Sequence, residues 1–267
     1  MANVVVSGVA GRMGQRLANL SIASPDLELV GGTEYSGHEV IGKDIGEVVG
    51  SRHLDIAVVD DLGDALEEAQ VVTVFTSPEA TLVDAALCSE HGVGMVVGTT
   101  GFSAAQLGEF YRLVANIPCV FAPNFSTAMN VLFKLVEAAA RILGDDYDVE
   151  VIEAHHRLKV DAPSGSALRL AEAAAAGMER NLKEVVVHGR EGVVGARTQK
   201  EIGMHALRAG DIAGDHTVLF GGPGEYIELR HHATSRDAFA LGALRAVRFA
   251  AQAEAGLYDM GDVLGIK

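Results

Sequence analysis

Only two cysteines, Cys88 and Cys119, occur in this 267-residue chain, both inside apolar strings and without C-x-x-C spacing. A disulfide framework and a cysteine-based zinc site are thereby excluded, and both thiols are expected to be small core residues. Long apolar runs are missing too. No stretch reaches the ~18 residues of a membrane span, and the opening "MANVVVSGVAG" has no charged segment leading into an apolar core. The corresponding expectations are no membrane partner and a cytoplasmic location. Positive charge is scarce, with 21 Lys and Arg against 36 Asp and Glu, for a formal charge of −15. Such a field repels phosphates, which argues against nucleic acid and anionic lipid, so an anionic ligand must be captured locally. Low-complexity runs are absent, prolines number six and 49% of the residues are apolar, so a folded chain with one large or two modest domains is expected.

What is present changes character along the chain. Over the first 125 residues short apolar runs, "NVVVSG", "LELVGGTE", "DIAVVD", "VVTVFT", "GMVVGTT" and "PCVFAPN", are interleaved with helix-like stretches. Continuous β-branched runs of this kind mark parallel strands buried on both faces, and hence a doubly wound α/β sheet. "TAMNVLFKLVEAAARIL" then places apolar side chains at a period of about 3.6, as one amphipathic helix. Beyond it, strand-like "DVEVIEAHH", "EVVVHGR", "EIGMHALRAG", "DHTVLFG" and "EYIELRHHA" surround an alanine-rich helix starting near Ser164, with "GGPGE" as a hairpin turn. The second half therefore reads as an α+β domain with a mixed sheet, closed by a helix over about 237–255.

"VVVSGVAGRMG" joins an apolar strand to a helix through Gly8, Gly11 and Gly14. Glycines at such a turn permit close approach of the backbone to a pyrophosphate, and the helix amino terminus at Arg12 and Met13 supplies positive potential. Glu34 ends the second strand-like run, where a carboxylate receives the ribose hydroxyls of a dinucleotide. Its charge opposes a 2′-phosphate and Tyr35, rather than a basic residue, follows it, so NADH is the expected cofactor; Arg12, Lys43 or Arg52 folding over the phosphate would admit NADPH as well. The strand-end turn "VVGTTGF", with Gly98, Thr99 and Thr100, falls at the sheet edge where ligands bind, and Ser103 with Gln106 fits a capping box for the next helix.

The stretch "EAHHRLKVDAPSGSAL", residues 153–168, gathers His155, His156 and Lys159 just before a helix start at Ser164, Gly165 and Ser166. Side chains alternate along a strand, so the two histidines share a site only if the strand ends there, and Pro163 makes that the expectation. Histidine, lysine and the unpaired amides of a helix amino terminus form a set able to donate a proton and hold a carboxylate. Adjacent strand histidines lack metal-ligand spacing, so no metal is expected. His188, His205, His216, His231 and His232 read as strand-surface or hydrogen-bonded core residues, and Arg236 as a further carboxylate clamp.

With "GVAGRMG", "VVGTTGF", "APNFSTAMNV", "EAHHRLKVDAPSGSAL", "RAGDIAGDHTVLF", "SRDAFALGA" and "GLYDMGDVLG" in order, the chain resembles the 4-hydroxy-tetrahydrodipicolinate (dihydrodipicolinate) reductase family nearly end to end. That resemblance implies a Rossmann domain from 1–126 and 236–267, a substrate and oligomerisation domain over 127–235, and a homotetramer. It implies NAD(P)H-dependent reduction of a small cyclic dicarboxylate in lysine and diaminopimelate biosynthesis. It assigns His155 as proton donor assisted by Lys159, and His156, Ser164, Gly165 and Ser166 as carboxylate ligands. Gly98, Thr99, Thr100, Asn124 and Phe125 match segments lining the nicotinamide. Departures are Ser166 where threonine is commoner, Val74 and Ser77 where many or some members carry aspartate and arginine, and Tyr35 where NADPH-tolerant members carry arginine. A non-catalytic nucleotide sensor would lack the cluster at 155–166, and a semialdehyde dehydrogenase would need a reactive cysteine at a polar turn.

Overall fold

The computed structural model describes residues 1–266. In chain order the main elements are β1 (Ala2–Ser7), α1 (Arg12–Ala23), β2 (Leu27–Thr33), α2 (Ile45–Val48), β3 (Val71–Val74), α3 (Pro78–His91), β4 (Gly94–Val97), α4 (Ala104–Leu113), β5 (Pro118–Phe121) and α5 (Thr127–Leu143). There follow β6 (Asp148–His155), α6 (Gly165–Gly177), α7 (Leu182–Val185), β7 (Val186–His188), β8 (Ile202–Arg208), β9 (Asp215–Gly222), β10 (Glu225–His232), α8 (Asp237–Ala250), β11 (Gly256–Tyr258) and α9 (Met260–Leu264). They divide into two units, Met1–Thr127 with Arg236–Lys267, and Ala128–Ser235.

The first unit is a six-stranded parallel sheet in the order β11-β5-β4-β3-β1-β2. Its valine-rich strands are buried on both faces. Val4 and Val6 join a core with Leu17 of α1 and Leu244 and Val247 of α8. Val5, Val72, Val74, Met95 and Val97 point the other way, to Ala85 and Cys88 of α3 and Phe110 of α4. Each of these valine, leucine, methionine and phenylalanine side chains contributes about 1.5–3 kcal/mol by leaving water. The sheet is doubly wound, of Rossmann type, and the strand order reverses between β1 and β3, where an open crevice forms at the strand carboxyl ends. Helix punctuation follows the residues: Ser77 accepts from the Ala80 amide, Pro78 opens α3, and Gly92 ends it in the left-handed region at φ 69°. The Ser103–Gln106 capping box starts α4. A paired guanidinium–carboxylate contact, with Arg248 Nη2 donating to Asp26 Oδ1 over 2.9 Å, ties the late helix α8 to the start of β2.

Two readings of this unit need correction. "DIAVVD" forms no strand: Ala57 and Val59 make only isolated bridges to Asp44 and Thr33. The reason is local, since Asp55 has φ 61° and the Asp44 carboxylate takes the amides of Leu54 and Ile56, diverting the backbone from a ladder. The closing helix ends at Ala250 rather than near 255, and β11 adds the edge strand of the sheet beyond it.

The second unit is a five-stranded mixed sheet, β10-β9-β6-β8-β7, parallel at β6/β8 and β7/β8 and antiparallel at β6/β9 and β9/β10. The β9–β10 hairpin turns through Pro223 and Gly224, the latter at φ 84°. One face packs Val149, Val151, Ile202, Val218 and Phe220 against Met129, Leu132 and Val136 of α5 and Leu170 and Ala174 of α6. The register sets Glu153, His155, Arg208 and His216 on that same face, at the end of the sheet beyond the apolar core.

Candidate active site

At the crevice of the first unit Gly8 adopts φ 72°, and a Cβ there would stand 2.9 Å from Thr76 Cγ2. A Cβ on Gly14 would stand 2.0 Å from the Gly8 carbonyl oxygen, so α1 packs on the loop only with glycine at that position. Gly11 is the N-cap of α1 and supplies no side-chain cap to the first turn of the helix. Glu34 accepts hydrogen bonds from the amides of Ala10 (3.1 Å) and Tyr35 (3.2 Å), so the carboxylate is fixed beside the glycine loop. A cavity of about 810 Å³ opens over Gly8, Thr33, Glu34, Tyr35 and Asp84. Thr76 Oγ1, buried beside this loop, has no hydrogen-bond partner among the described residues. Close-approach glycines, an uncapped helix start, a carboxylate at the strand end and an orphaned hydroxyl fit a dinucleotide.

The other residues matched to the nicotinamide side serve the turn as well. Gly98 lies under the Phe75 ring, where a Cβ would stand 2.1 Å from its nearest carbon. Thr99 is 2% exposed, and its Oγ1 accepts from the Thr76 amide and the Thr81 hydroxyl. Thr100 is exposed. Asn124 Oδ1 accepts from the Ser126 amide at 2.8 Å, whereas Phe125 is a core side chain whose ring lies tilted against Phe75, centroids 5.3 Å apart. Asp84, beneath the crevice, accepts from Ser7 Oγ at 2.7 Å, and burial pushes its carboxyl up to about 6 against the lowering effect of that bond.

In the second unit β6 ends at His155, and the chain turns out through 156–163. His155 is 9% exposed and its Nδ1 donates to Glu153 Oε2 at 2.6 Å. Its Nε2 faces the Gly214 backbone, where a Cβ would stand at 3.2 Å. His156 Nδ1 is buried without a partner among the described residues. Lys159 Nζ donates to Asp161 Oδ1 at 2.8 Å, which holds that carboxyl below its ordinary range. Ser164 is the N-cap of α6, its Oγ accepting from the Ala167 amide. Its own amide, expected to face an anion, is instead donated to Glu153 Oε1 at 3.0 Å, and the residue is 3% exposed. Arg236 is exposed and belongs to the first unit, at the start of α8.

Three residues around His155 have no role assigned from the sequence, Glu153, Arg208 and Gly214, and His216, expected as a strand-surface or hydrogen-bonded core residue, joins them as a buried, hydrogen-bonded one. Arg208 donates from Nη1 and Nη2 to Glu153 Oε2 and Oε1 at 2.8 and 3.0 Å. His216 is 4% exposed, lies 3.2 Å from Ser164 Oγ through Nε2, and stacks edge-on with His155 at 5.2 Å. Burial, together with the charges His155 and His231 can carry, drives its imidazole down to about 4. A signal existed for Glu153, because Glu-x-His on a strand puts both side chains on one face. Among the other histidines, His205 Nε2 lies 2.7 Å from Glu150 and His232 pairs with Asp215 at the surface. No group of three or more His, Cys, Asp or Glu suited to a metal occurs among the described residues.

Both units match known proteins. Residues 2–125 match the family model described as dihydrodipicolinate reductase, N-terminus, and residues 128–264 that for its C-terminus. The chain is 49% identical over 267 residues to 4-hydroxy-tetrahydrodipicolinate reductase of Desulfotalea psychrophila, covering 100% of this chain and 99% of the relative. It is 48% identical to that of Syntrophobacter fumaroxidans, covering 100% of both. A solved structure of dipicolinate-bound dihydrodipicolinate reductase from Paenisporosarcina sp. TG-14 superimposes with a TM-score of 0.76 at 27% identity, covering 97% of each chain. A glycine loop with its carboxylate, a histidine and lysine ahead of a helix start, and two family models that together span the chain lead to one conclusion: the chain belongs to the dihydrodipicolinate reductase family.

Proposed function

We propose that the chain reduces 4-hydroxy-tetrahydrodipicolinate to tetrahydrodipicolinate with loss of water, as an NAD(P)H-dependent oxidoreductase of lysine and diaminopimelate biosynthesis. The observation that carries this is the full-length family match, joined to a proton-donor cluster and a nucleotide cradle in the same chain. Loss of the substrate hydroxyl as water leaves a conjugated cyclic imine dicarboxylate, and a hydride with one proton completes the product. The nucleotide supplies the hydride.

The residues of this chain do the remainder. Gly8, Gly11, Arg12, Met13 and Gly14 hold the pyrophosphate, Glu34 takes the adenosine ribose, and the turns at Gly98–Thr100 and Asn124–Phe125 border the nicotinamide. His155 donates the proton from Nε2, since its Nδ1 is committed to Glu153. Lys159, released from Asp161, neutralises the anionic substrate, and Gly165, Ser166 and His156 hold a carboxylate, with Ser164 shaping the turn. Arg236 is a further contact for a substrate carboxylate. A nucleophilic cysteine mechanism is disfavoured, because Cys119 is fully buried and its thiol is pushed up to about 12 by burial.

Glu34 supports NADH, with NADPH accepted less well. The sheet face of the second unit opposite α5 and α6 carries Leu207 and Tyr226, both exposed, which supports a homotetramer built on that face. No described helix is long and apolar enough to cross a membrane, and a cytoplasmic location is part of the same proposal. His155→Gln and Lys159→Ala each test the site: both are expected to lower kcat by about a hundredfold or more at unchanged nucleotide affinity. Near-normal kcat in both variants would remove the assignment.

A further inference from the structure

Glu153, the partner of His155 Nδ1, accepts four hydrogen bonds within the second unit. It is 0% exposed, so it cannot touch a substrate. Oε2 accepts from His155 Nδ1 at 2.6 Å and from Arg208 Nη1 at 2.8 Å, while Oε1 accepts from the Ser164 amide at 3.0 Å and from Arg208 Nη2 at 3.0 Å. Burial pushes this carboxyl up, but Arg208, His155 and the Ser164 amide outweigh it and hold the group below its ordinary range, ionised and therefore acceptor-only. Arg208 also donates to the carbonyl of Asp161, in the loop that carries Lys159.

We propose that Glu153 is a positioning residue that sets the proton donor in register with the carboxylate-binding helix start, one oxygen orienting His155 and the other fixing Ser164. The assignment rests on the reading of His155 and the Ser164 turn given above. Geometry explains why glutamate is required. A carboxylate offers two acceptor oxygens, whereas the isosteric amide offers one acceptor and one donor. With glutamine at 153, either the His155 imidazole or the Ser164 amide meets an N–H instead of an oxygen, so one of the two must shift. The distance from the reacting atoms is short: only the histidine ring separates Glu153 from the Nε2 edge that faces Gly214.

The test compares wild type, Glu153→Gln, and the double variant Glu153→Gln/Arg208→Gln, in which no guanidinium is left buried without its counter-charge. Steady-state kinetics with 4-hydroxy-tetrahydrodipicolinate are expected to show kcat/KM for the dicarboxylate lowered on the order of a hundredfold, with KM for NADH within about twofold of wild type. Spectra of 15N-histidine-labelled protein, recorded without substrate, are expected to show His155 as the Nδ1–H tautomer in wild type and altered in both variants. The spectra report on His155 without any turnover, and the double variant covers loss of folding in the single one. If His155→Gln is inactive while a folded Glu153 variant keeps both wild-type kinetics and the wild-type His155 spectrum, the positioning role is refuted and the reading of the site stands. If His155→Gln is itself fully active, it is the site reading that fails.

Discussion

Replacing His216 by glutamine should change how the stability of this protein depends on pH, and the structure sets both sign and size. The imidazole is 4% exposed, its Nδ1 has no partner among the described residues, and His155 and His231 rings stand 5.2 and 6.2 Å away. Burial first, and then repulsion from those two rings when charged, lower its value from 6.5 to about 4, although Glu153 and Asp215 pull the other way. Because the folded value lies below the unfolded one, the unfolded chain binds more protons between pH 4 and 6.5, and stability rises with pH across that window. The contribution is complete above about 6.5 and is lost as pH falls to about 4. A shift of this size corresponds to about 3 kcal/mol.

Glutamine keeps a group able to bond Ser164 Oγ but does not titrate. Urea unfolding of wild type and His216→Gln, followed by far-ultraviolet circular dichroism on dilute protein at a series of pH values, isolates the effect, since other acid-sensitive groups cancel in the difference. The wild type should lose about 3 kcal/mol relative to the variant between pH 7 and pH 4. A difference that stays flat across that range would show that His216 is not held neutral and that the ring packing around Ser164 is misread.

Other expectations follow the same reasoning. Asp84→Asn should stabilise the fold at pH 8 by up to about 3 kcal/mol, because the folded carboxyl at about 6 lies above its ordinary 3.8; the cost of the buried charge is full above pH 6 and vanishes below about 4. Equal stabilities of the two proteins at pH 8 would rule this out. Gly14→Ala forces a Cβ to 2.0 Å from the Gly8 carbonyl oxygen, so calorimetry should find nucleotide binding at least about tenfold weaker, equivalent to ~1.4 kcal/mol; unchanged affinity would mean that the loop does not hold the pyrophosphate. Glu34→Gln should raise the NADPH-to-NADH ratio of kcat/KM by about tenfold through removal of one negative charge, and a constant ratio would contradict the placing of the ribose.

Much of the first unit is legible in the sequence because its signals are local. "VVVSGVAGRMG" states a strand, a turn and a helix start in eleven residues, and the capping box of Ser103 with Gln106 marks a helix start without tertiary help. "DIAVVD" misleads because composition reports that the residues suit a strand, whereas the Asp44 carboxylate and the backbone at Asp55 decide that they do not form one. β11 escapes notice because three residues at a sheet edge carry no periodicity. The cluster at 155–166 is visible as an improbable mixture of polar residues, but the groups that organise it are not. Arg208 reaches Glu153 across a parallel strand pair separated by more than fifty residues, and His216 reaches Ser164 from the antiparallel neighbour. Such contacts are set by sheet order, which hydrophobic patterning does not specify.

The central claim is a reaction, and it is tested most directly by mixing the purified protein with freshly generated 4-hydroxy-tetrahydrodipicolinate and following the absorbance of NADH, then of NADPH, at matched concentrations. The account predicts rapid, substrate-dependent oxidation of both, faster with NADH. Absence of oxidation with either nucleotide, while the protein demonstrably binds them, would contradict it.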